Sequence, residues 1–543
     1  MNQIEFERIL ARRATRRLAL LGIATGAFGL MAISLPGRPT RVLAQDGTPI
    51  ASPVPAARAA FGAYPFSLGV ASGDPAPNGV ILWTRLAPVP SASGGMDPIP
   101  YDVQWEIAND DAFGSIVQSG TTTAAPTLAH SVHLEVTGLE PAREYFYRFM
   151  VGDEVSPVGR TKTTPALAAG VDLLRFAFAS CANYEHGYFA AYREMAAQSP
   201  DLIFHLGDYI YEYAPNEWQV RDEGNLRLTQ GAETVSLADY RQRFATYRTD
   251  PDLQAAHAAA PWLVTWDDHE TENNYADEIS ENNEARETFL QRRADAYQAY
   301  YEHMPLRPSS LPVGPDMVLY RRLPYGNLAE FNVLDTRQYR SDQPCEEGLQ
   351  PRCPAALDPA TTLLGPDQER WLLGKMEKSS ALWNVLAQQI MMTQLDQTKD
   401  DALASYTDDW NGYPAARALI LDAVQGAALS NFMVLTGDVH AGFANDVKRD
   451  LDYTGPAVGT EYVCTSISAG GKEGDAWFEG YEAANPQVRY YEPRHGGFSL
   501  VEVTPELWTT RYFLVDDLDR ADSPVAEAAV WVTEAGKAGT QAG

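Results

Sequence analysis

The chain has 543 residues, of which 45% are hydrophobic and 21% charged, so it is long enough to form two or more domains with buried cores. Asp and Glu outnumber Lys and Arg by 72 to 42, which gives a formal net charge of −30 at pH 7. This balance excludes a protein that coats nucleic acid, because binding a phosphate backbone requires dense basic side chains. It does not exclude chemistry on a small phosphate ester, which a metal ion can bind.

The first 44 residues differ from the rest of the chain. Seven Arg and two Glu give them a net charge of +5, and the basic run Arg12–Arg17 leads into a moderately apolar stretch. Val42-Leu43-Ala44 then offers small residues for cleavage, and Thr15-Arg16-Arg17-Leu18 resembles the twin-arginine signal. We therefore expect residues 1–44 to engage the twin-arginine export machinery and signal peptidase. The mature protein would then be periplasmic, in the cell envelope or extracellular, whereas an uncleaved membrane anchor is the weaker alternative.

Residues 45–63 are rich in Ala, Pro and Ser and are typical of a linker. Between 64 and 165, short segments alternate apolar with polar or aromatic residues, which predicts a small all-β sandwich of fibronectin or immunoglobulin type. Its clearest strands are Val80–Leu86, Val103–Ala108, Ser131–Val136 and Tyr145–Val151. Tyr145 follows Leu139-Glu140-Pro141, as in the corner where a Tyr hydroxyl bonds back to the backbone.

From residue 170 to 515, buried apolar runs alternate with helical ones, which predicts an α/β layered domain. Leu173–Ala179, a helix that contains Tyr192, and Leu202–Leu206 form one β-α-β unit, and the amphipathic stretch Ala285–Met304 predicts a helix that flanks the core. The further predicted strands are Trp262–Trp266, Phe331–Leu334, Val385–Met391 and Phe432–Leu435. Residues 516–543 are predicted to form a C-terminal tail.

Five of these strands end in residues that can bind metals or phosphate. The segments are Ser180-Cys181-Ala182-Asn183, Gly207-Asp208-Tyr209-Ile210-Tyr211, Asp267-Asp268-His269-Glu270, Asp335-Thr336-Arg337 and Gly437-Asp438-Val439-His440. Taken singly, each has an ordinary interpretation as a turn, a helix cap, a solvated loop or a small buried residue. Because the carboxyl ends of strands in open α/β sheets converge on one crevice, their coincidence predicts an active site.

These motifs resemble the calcineurin-like metallophosphoesterases and, more closely, the alkaline phosphatase D (PhoD) family of secreted phosphatases and phosphodiesterases. The resemblance runs from about residue 64 to 510 and is most specific at Phe178–Tyr184 and His205–Tyr213. It implies an α/β layered metallophosphoesterase domain, in which a β-sheet sandwich is flanked by helices, preceded by the small all-β domain.

The resemblance also implies a phosphoric ester hydrolase that acts on small phosphate monoesters, diesters or both. A phospholipase D-like activity on phospholipid head groups is the alternative. A third hypothesis, a secreted binding module without enzymatic activity, is disfavoured because such a module does not need convergent metal donors. We expect a monomer.

For the metals, the resemblance implies that Asp208 bridges two positions. Cys181, Tyr211 and His440 would complete the first position, where thiolate and phenolate donors favour Fe(3+). Asp208, Asp268 and Asp438 would form the second position, where hard oxygen donors favour Ca(2+). The superfamily's isolated metal-binding histidine between the third and last motifs has no clear counterpart in this chain. The candidates to replace it are Gln388, Gln389 and Asp396.

In this scheme a metal-activated water or oxo ligand attacks phosphorus in line, so Cys181 is expected to be a ligand rather than a nucleophile. His269 matches the superfamily's non-ligating histidine and would steady the transition state or protonate the leaving oxygen. Arg337 is a candidate phosphate contact, or else a partner of Asp335 or of a loop carbonyl. Asn183 is a candidate ligand or phosphate contact, or else a cap or turn residue. Separately, Cys345 and Cys353 lie eight apart in a Pro/Gly-rich loop and could pair outside the cytoplasm.

Overall fold

The computed structural model describes residues 61–543 except 93, 399–403, 451–453 and 472–477. The export signal predicted at 1–44, and all but the last three residues of the linker predicted at 45–63, lie outside the described residues. All the described residues belong to one unit of the chain, which spans 58–543. None of the helices within the described ranges is long and apolar enough to cross a membrane.

The first part of the chain forms strands, as its alternating pattern predicts. They are β1 (Val70–Ala76), β2 (Gly79–Arg85), β3 (Tyr101–Ala108), β4 (Ile116–Ala124), β5 (Ser131–Thr137), β6 (Glu144–Val151), β7 (Glu154–Val155) and β8 (Gly159–Lys162). The four segments predicted most clearly correspond to β2, β3, β5 and β6. The Tyr145 hydroxyl accepts a hydrogen bond from the backbone N–H of Glu140 at 3.0 Å. This confirms the predicted tyrosine corner.

The second part alternates strands and helices. Its elements are β9 (Leu174–Ala179), α1 (Ala190–Ala197), β10 (Leu202–Leu206), α2 (Leu237–Arg248), α3 (Pro251–Ala259), β11 (Pro261–Thr265), α4 (Arg286–His303), β12 (Arg321–Tyr325), β13 (Ala329–Val333), β14 (Leu349–Pro351), α5 (Gly365–Met376), β15 (Trp383–Ala387), β16 (Ala404–Tyr406), α6 (Pro414–Gly426), β17 (Phe432–Thr436), β18 (Gly442–Lys448), β19 (Ala457–Val463), β20 (Val488–Glu492), β21 (Gly497–Val503), β22 (Leu507–Val515), β23 (Val525–Glu534) and β24 (Gln541–Ala542). The predicted strands and the long amphipathic helix are all present, with ends that agree or shift by at most four residues.

These strands form two large sheets. A ten-stranded sheet has the order β24-β23-β22-β21-β9-β10-β11-β1-β2-β5, and a seven-stranded sheet has the order β12-β13-β15-β17-β19-β18-β20. The strands β9, β10 and β11 are mutually parallel, as are β13, β15, β17 and β19. Five strands of the first part, β3, β4, β6, β7 and β8, form a separate antiparallel sheet.

The main core lies where the two large sheets pack face to face. Phe176 and Phe204 of the ten-stranded sheet contact Phe331 of the seven-stranded sheet, with ring centroids 5.3 and 4.8 Å away. The helices α1 to α4 pack on the outer face of the larger sheet, and α5 and α6 pack on the outer face of the smaller one. Burial of these apolar faces accounts for the four layers. The predicted sandwich flanked by helices is confirmed.

Two pairings connect segments that sequence patterns treat separately. β1 runs parallel to β11, with Ser72 opposite Pro261 and Gly73 opposite Trp262. Three strands of the predicted accessory domain therefore extend the large sheet. Residues 516–543, predicted as a tail, contain β23 and β24, and β23 pairs with β22 along its length. Alternation within a segment predicts a strand, but the neighbour of that strand depends on contacts distant in sequence.

Candidate metal centre

The loops that follow β9, β10 and β17 meet at one edge of the sheets. The N–H of Cys181 donates to the carbonyl of Gly207 at 3.1 Å, and the N–H of Ala182 donates to the carbonyl of Asp208 at 2.9 Å. A Cβ atom on Gly437 would lie only 2.6 Å from the Cβ of Ser180. Backbone hydrogen bonds therefore join the loops after β9 and β10, and the loop after β17 packs closely on Ser180, which brings together side chains from distant parts of the chain.

Four of the predicted site residues have a left-handed backbone. Cys181, Asp208, Asp438 and His440 have φ angles of 60°, 54°, 59° and 57°. For residues with a Cβ atom this conformation is sterically unfavourable, and such residues cluster at functional sites. All four residues lie in the loops that follow β9, β10 and β17.

Cys181, Asp208 and His440 form a first group whose potential ligand atoms all lie within 4.8 Å of one another. The Tyr211 hydroxyl donates to Oδ2 of Asp208 at 3.0 Å and lies 3.1 Å from Nε2 of His440. Oδ1 of Asp208 is buried and has no hydrogen-bond partner among the described residues. The four residues predicted for the first metal position are thus brought together.

A second group contains Asp208, Asp268 and His269, again with potential ligand atoms within 4.8 Å of one another. It shares Asp208 with the first group. Asp438, predicted for the second position, lies at the same edge but outside both groups in the described part of the chain. Burial raises the pKa of Asp438, and the nearby charges of Asp267 and Asp268 raise it further.

His269 is paired with a carboxylate that the motifs did not single out. Its Nδ1 lies 2.7 Å from Oε2 of Glu212, while Oε1 of Glu212 accepts the N–H of Asn273 at 2.8 Å. Burial lowers the pKa of His269, but the charges of Glu212, Asp268 and Asp208 outweigh it and raise the pKa well above its usual value. Glu212 lies within the motif segment His205–Tyr213, directly after Tyr211, but no residue pattern gave it a role.

The Arg337 side chain is 0% exposed and faces carboxylates. Its Nε bonds Oδ1 of Asp267, and its Nη2 lies 2.7 Å from Oδ2 of Asp408 and 3.5 Å from Oδ2 of Asp268. Only its backbone N–H bonds Asp335, at 3.0 Å. Arg337 is therefore a buried ion-pairing residue and not an accessible phosphate contact. Its side-chain partners are Asp267, Asp268 and Asp408, whereas the predicted partner was Asp335 or a loop carbonyl.

The other candidates from the sequence form hydrogen bonds within the described chain. Oδ1 of Asn183 accepts the N–H of Glu185 at 2.9 Å, which is the turn role among its alternatives. Nε2 of Gln389 donates to Oγ1 of Thr265 at 2.7 Å. Nε2 of Gln388 bonds Oγ1 of Thr436, and Oδ1 of Asp396 accepts from Oγ1 of Thr398. Asp396 belongs to neither of the two groups of potential ligands in the described chain.

Glu270 organises the base of the site. Its carboxylate accepts the N–H groups of Asp208 at 3.2 Å, Tyr209 at 2.6 Å and Asp267 at 2.9 Å. Burial raises the pKa of Glu270 to about 8, although the bonds from Tyr209 and Asp267 oppose that rise. This side chain links the loop after β10 to the loop after β11. Sequence inspection placed Glu270 in a motif but gave it no role.

Two segments, one between β10 and α2 and the other between β13 and α5, supply the rim of the site. Trp218 stacks on His440, with ring centroids 5.7 Å apart and an interplanar angle of 21°. Cys345 and Cys353 form a disulfide, and Glu347 within that loop bonds the side chain of Asn274. The N–H of Asn274 in turn donates to Oδ2 of Asp268 at 2.8 Å. The disulfide loop therefore contacts a residue that holds Asp268.

Comparisons with known proteins agree with this architecture. A family model described as PhoD-like phosphatase matches residues 176–512, and another described as PhoD-like phosphatase, N-terminal domain, matches residues 51–165. Alkaline phosphatase D of Bacillus subtilis (strain 168) is 49% identical over 482 residues, which cover 88% of this chain and 82% of that protein. A solved structure of PhoD has a TM-score of 0.87 at 48% identity and covers 89% of this chain and 93% of its own. The larger matched range includes every residue of both groups.

Proposed function

Because the chain belongs to the PhoD-like phosphatase family and is a phosphoric ester hydrolase, we propose that it hydrolyses small phosphate monoesters, diesters or both at a centre for two metal ions. The observation that carries this proposal is the sharing of Asp208 by two groups of potential ligands, one with Cys181 and His440 and the other with Asp268 and His269. A carboxylate with two oxygens can contact two cations at once.

The residues present suit such a centre. Asp208 has one buried oxygen without a partner, and burial raises its pKa well above the usual value. Cys181 is fully buried, and its thiol bonds only Oγ of Ser180, at 3.1 Å, in the described chain. Isolated buried carboxylates are costly unless they are protonated or neutralised by a cation. Bound cations would remove that cost and fill the position that the unpartnered oxygen faces.

We assign Fe(3+) to the position of Cys181, Asp208, Tyr211 and His440, because thiolate and phenolate donors stabilise a trivalent ion. We assign Ca(2+) to the position of Asp208 and Asp268, with Asp438 as a further candidate, because carboxylate oxygens suit calcium. When bound, the metals would supply positive charge to the phosphoryl oxygens and acidify the attacking water.

The protein's own residues then position the loops of the site and supply the proton for the leaving oxygen. Glu212 holds the His269 ring through Nδ1, so that Nε2 is the nitrogen left to face the site. In its protonated form His269 is the candidate to donate a proton to the leaving oxygen. Arg337 and Glu270 fix the loops that carry Asp268 and Asp208, and Trp218 forms a wall beside His440. We assign no contact with substrate to Arg337 or Asn183.

We further propose that the chain is exported by the twin-arginine route and acts as a monomer. The basic and apolar pattern of residues 1–44 supports export, and so does the disulfide between Cys345 and Cys353, since disulfides persist mainly outside the cytoplasm.

The proposal is tested by measuring metal content, visible absorption and hydrolysis on exported protein. We expect iron and calcium, a visible band from phenolate-to-iron charge transfer, and activity on p-nitrophenyl phosphate and bis(p-nitrophenyl) phosphate that chelation removes. Asp208→Asn should lose both metals and the activity, and Tyr211→Phe should lose the visible band. Asp102→Asn, at an exposed position of β3, is the matched control and should behave like the wild type. A colourless, iron-free enzyme with full activity would contradict the metal assignment.

A further inference from the structure

A buried hydroxyl contacts both free cysteines of the described chain. Ser180, directly after β9, is 1% exposed, and the cysteines Cys181 and Cys464 are each 0% exposed. Oγ of Ser180 lies 3.1 Å from Sγ of Cys181 and 3.5 Å from Sγ of Cys464. Cys181 is a proposed iron ligand, whereas Ser180 and Cys464 have no role in the proposed function.

The protons on these three groups decide what the Ser180 hydroxyl can do. While Cys181 carries its proton, its S–H donates to Oγ of Ser180. The S–H of Cys464 has another acceptor, the carbonyl of Thr436 at 3.4 Å. For the O–H of Ser180 itself, the two sulfurs are the acceptors within bonding distance in the described chain.

Iron binding changes which group donates, because a cysteine binds a metal ion as its thiolate. Sγ of Cys181 then has no proton and can only accept. The O–H of Ser180 can donate to it without any movement of the heavy atoms, which are already 3.1 Å apart. The thiolate is also the better acceptor of the two sulfurs, since a hydrogen bond to an ionised group is about twice as strong as one between neutral groups.

The surrounding backbone confines Ser180 beside Cys181. The carbonyl of Ser180 accepts the N–H of Ile467 at 2.9 Å. A Cβ atom on Gly437 would lie only 2.6 Å from Oγ of Ser180, so glycine at this position leaves the room that the hydroxyl occupies. Because Ser180 and Cys181 are both buried, bulk water does not compete for the hydrogen bond between them.

We propose that Ser180 is a positioning residue that donates a hydrogen bond to the Cys181 thiolate and thereby sets the reduction potential of the bound iron. This inference rests on the proposed function, in which Cys181 is a ligand of Fe(3+). A hydrogen-bond donor draws negative charge away from a thiolate ligand, so the ligand stabilises ferric iron less and the reduction potential rises. Cys464 is the neutral and therefore weaker acceptor beside the same hydroxyl.

Redox titration of the iron-loaded full chain, followed through its visible band, tests this inference. Ser180→Ala removes the donor and should lower the reduction potential. At a fixed potential, we expect its ratio of ferric to ferrous iron to be about 3- to 10-fold higher than that of the wild type. Its iron content should equal that of the wild type, because Ser180 is not itself a ligand.

Ser466→Ala is the matched control. Ser466 lies opposite Ser180 in an isolated β-bridge and is also buried, but its Oγ donates to the carbonyl of Ala469 at 2.7 Å. This variant should keep the wild-type potential. Cys464→Ala should not lower the potential either, because Ser180 keeps the Cys181 sulfur as its acceptor.

Equal potentials for Ser180→Ala and the iron-loaded wild type would overturn the role of Ser180 and leave the metal assignment intact. An equal decrease in Ser466→Ala or Cys464→Ala would also overturn it, since any change beneath the site would then have the same effect. A wild type without iron would overturn both this inference and the proposed metal centre.

If Ser180→Ala does not bind iron, the wild type itself decides the matter. The Fe–S stretching frequency, measured by resonance Raman spectroscopy, should shift after exchange into D2O, because the O–D of Ser180 then replaces its O–H. An unchanged frequency would overturn the proposal.

Discussion

At the residue scale, the candidate metal centre depends on side chains whose own backbone is strained. Cys181, Asp208, Asp438 and His440 all have positive φ, at a cost of roughly 1–2 kcal/mol each relative to the right-handed region. Hydrogen bonds of the backbone oppose this cost. For example, the N–H of Asp208 donates to the Glu270 carboxylate. The conformations are therefore maintained by surrounding contacts, and we expect substitutions beneath the site to affect activity as well as substitutions within it.

Replacement of Glu212 by Gln tests the pairing of this carboxylate with His269. His269 holds its proton below its raised pKa and loses it as the pH rises through that value. Removal of the Glu212 charge lowers this pKa, so activity should decline at a lower alkaline pH. We expect kcat at alkaline pH to fall about 10- to 100-fold. The loss should be larger for alkyl esters than for p-nitrophenyl esters, because a poor leaving group depends more on protonation.

Glu217→Gln is the matched control for this variant. Glu217 lies on the same loop but is exposed, where it accepts the N–H of Ala214. We expect it to keep the wild-type pH profile. Equal losses for good and poor leaving groups in Glu212→Gln, without a shift in the pH profile, would show that Glu212 is only structural.

At the element scale, the site is made by tight loops after buried parallel strands. β10, β11 and β17 each have five residues, and all of them are buried. These strands are therefore packed on both faces, and their ends are rigidly placed. The loops can meet because glycine occurs at the contacts. Gly207 has φ +109°, and a Cβ atom there would lie 2.6 Å from the Cβ of Asp267. The close approach of the loops after β10 and β11 therefore requires glycine.

Gly207→Ala should separate these two loops. We expect it to destabilise the protein by about 1–3 kcal/mol and to reduce metal content, because the added methyl group overlaps the backbone of Asp267. Gly374→Ala is the control, since Gly374 lies within α5 with open space where its Cβ would be. It should stabilise the protein by roughly 0.5–1 kcal/mol. Denaturant unfolding measures the change in the free energy of unfolding for each variant. Equal stability of the two variants would contradict the prediction that a Cβ atom at position 207 overlaps Asp267.

At the scale of the whole molecule, the two parts of the chain share one sheet. The parallel pairing of β1 with β11 continues through β2 and β5, so the first part covers what would otherwise be the edge of the catalytic sheet. Side chains cross the same boundary. Nε1 of Trp83 donates to the carbonyl of Glu302 at 3.1 Å, and Nη1 of Arg85 lies 2.5 Å from Nε2 of His303. The first part is therefore structural support for the catalytic part.

A chain that begins at residue 170 tests this support. We expect it to be insoluble or unfolded, because its β11 would be an exposed edge and the partners of Glu302 and His303 would be missing. Co-expression of residues 61–165 as a separate chain should restore soluble protein with activity. A soluble and active catalytic fragment on its own would show instead that the shared sheet is dispensable.

Much of the fold and the identity of the site could be predicted from the sequence. Alternating or continuous apolar runs predicted the strands, and helical apolar spacing predicted two of the flanking helices, because these patterns reflect short-range geometry. The residues at the strand ends, such as Cys181, Asp208 and His440, were recognisable because each follows a buried strand directly. The tyrosine corner at Tyr145 was predictable for the same reason, since its partner Glu140 is only five residues away.

Other features were decided only by the tertiary structure. Glu212 and His269 are 57 residues apart, and Arg337 and Asp408 are 71 apart, so their pairing follows from how the loops pack and not from spacing. The same holds for Trp218 beside His440 and for the strand β23 in a segment expected to be a tail. The reason is physical. Local periodicity reports whether a face will be buried, but which distant group meets it depends on the packing of the two sheets.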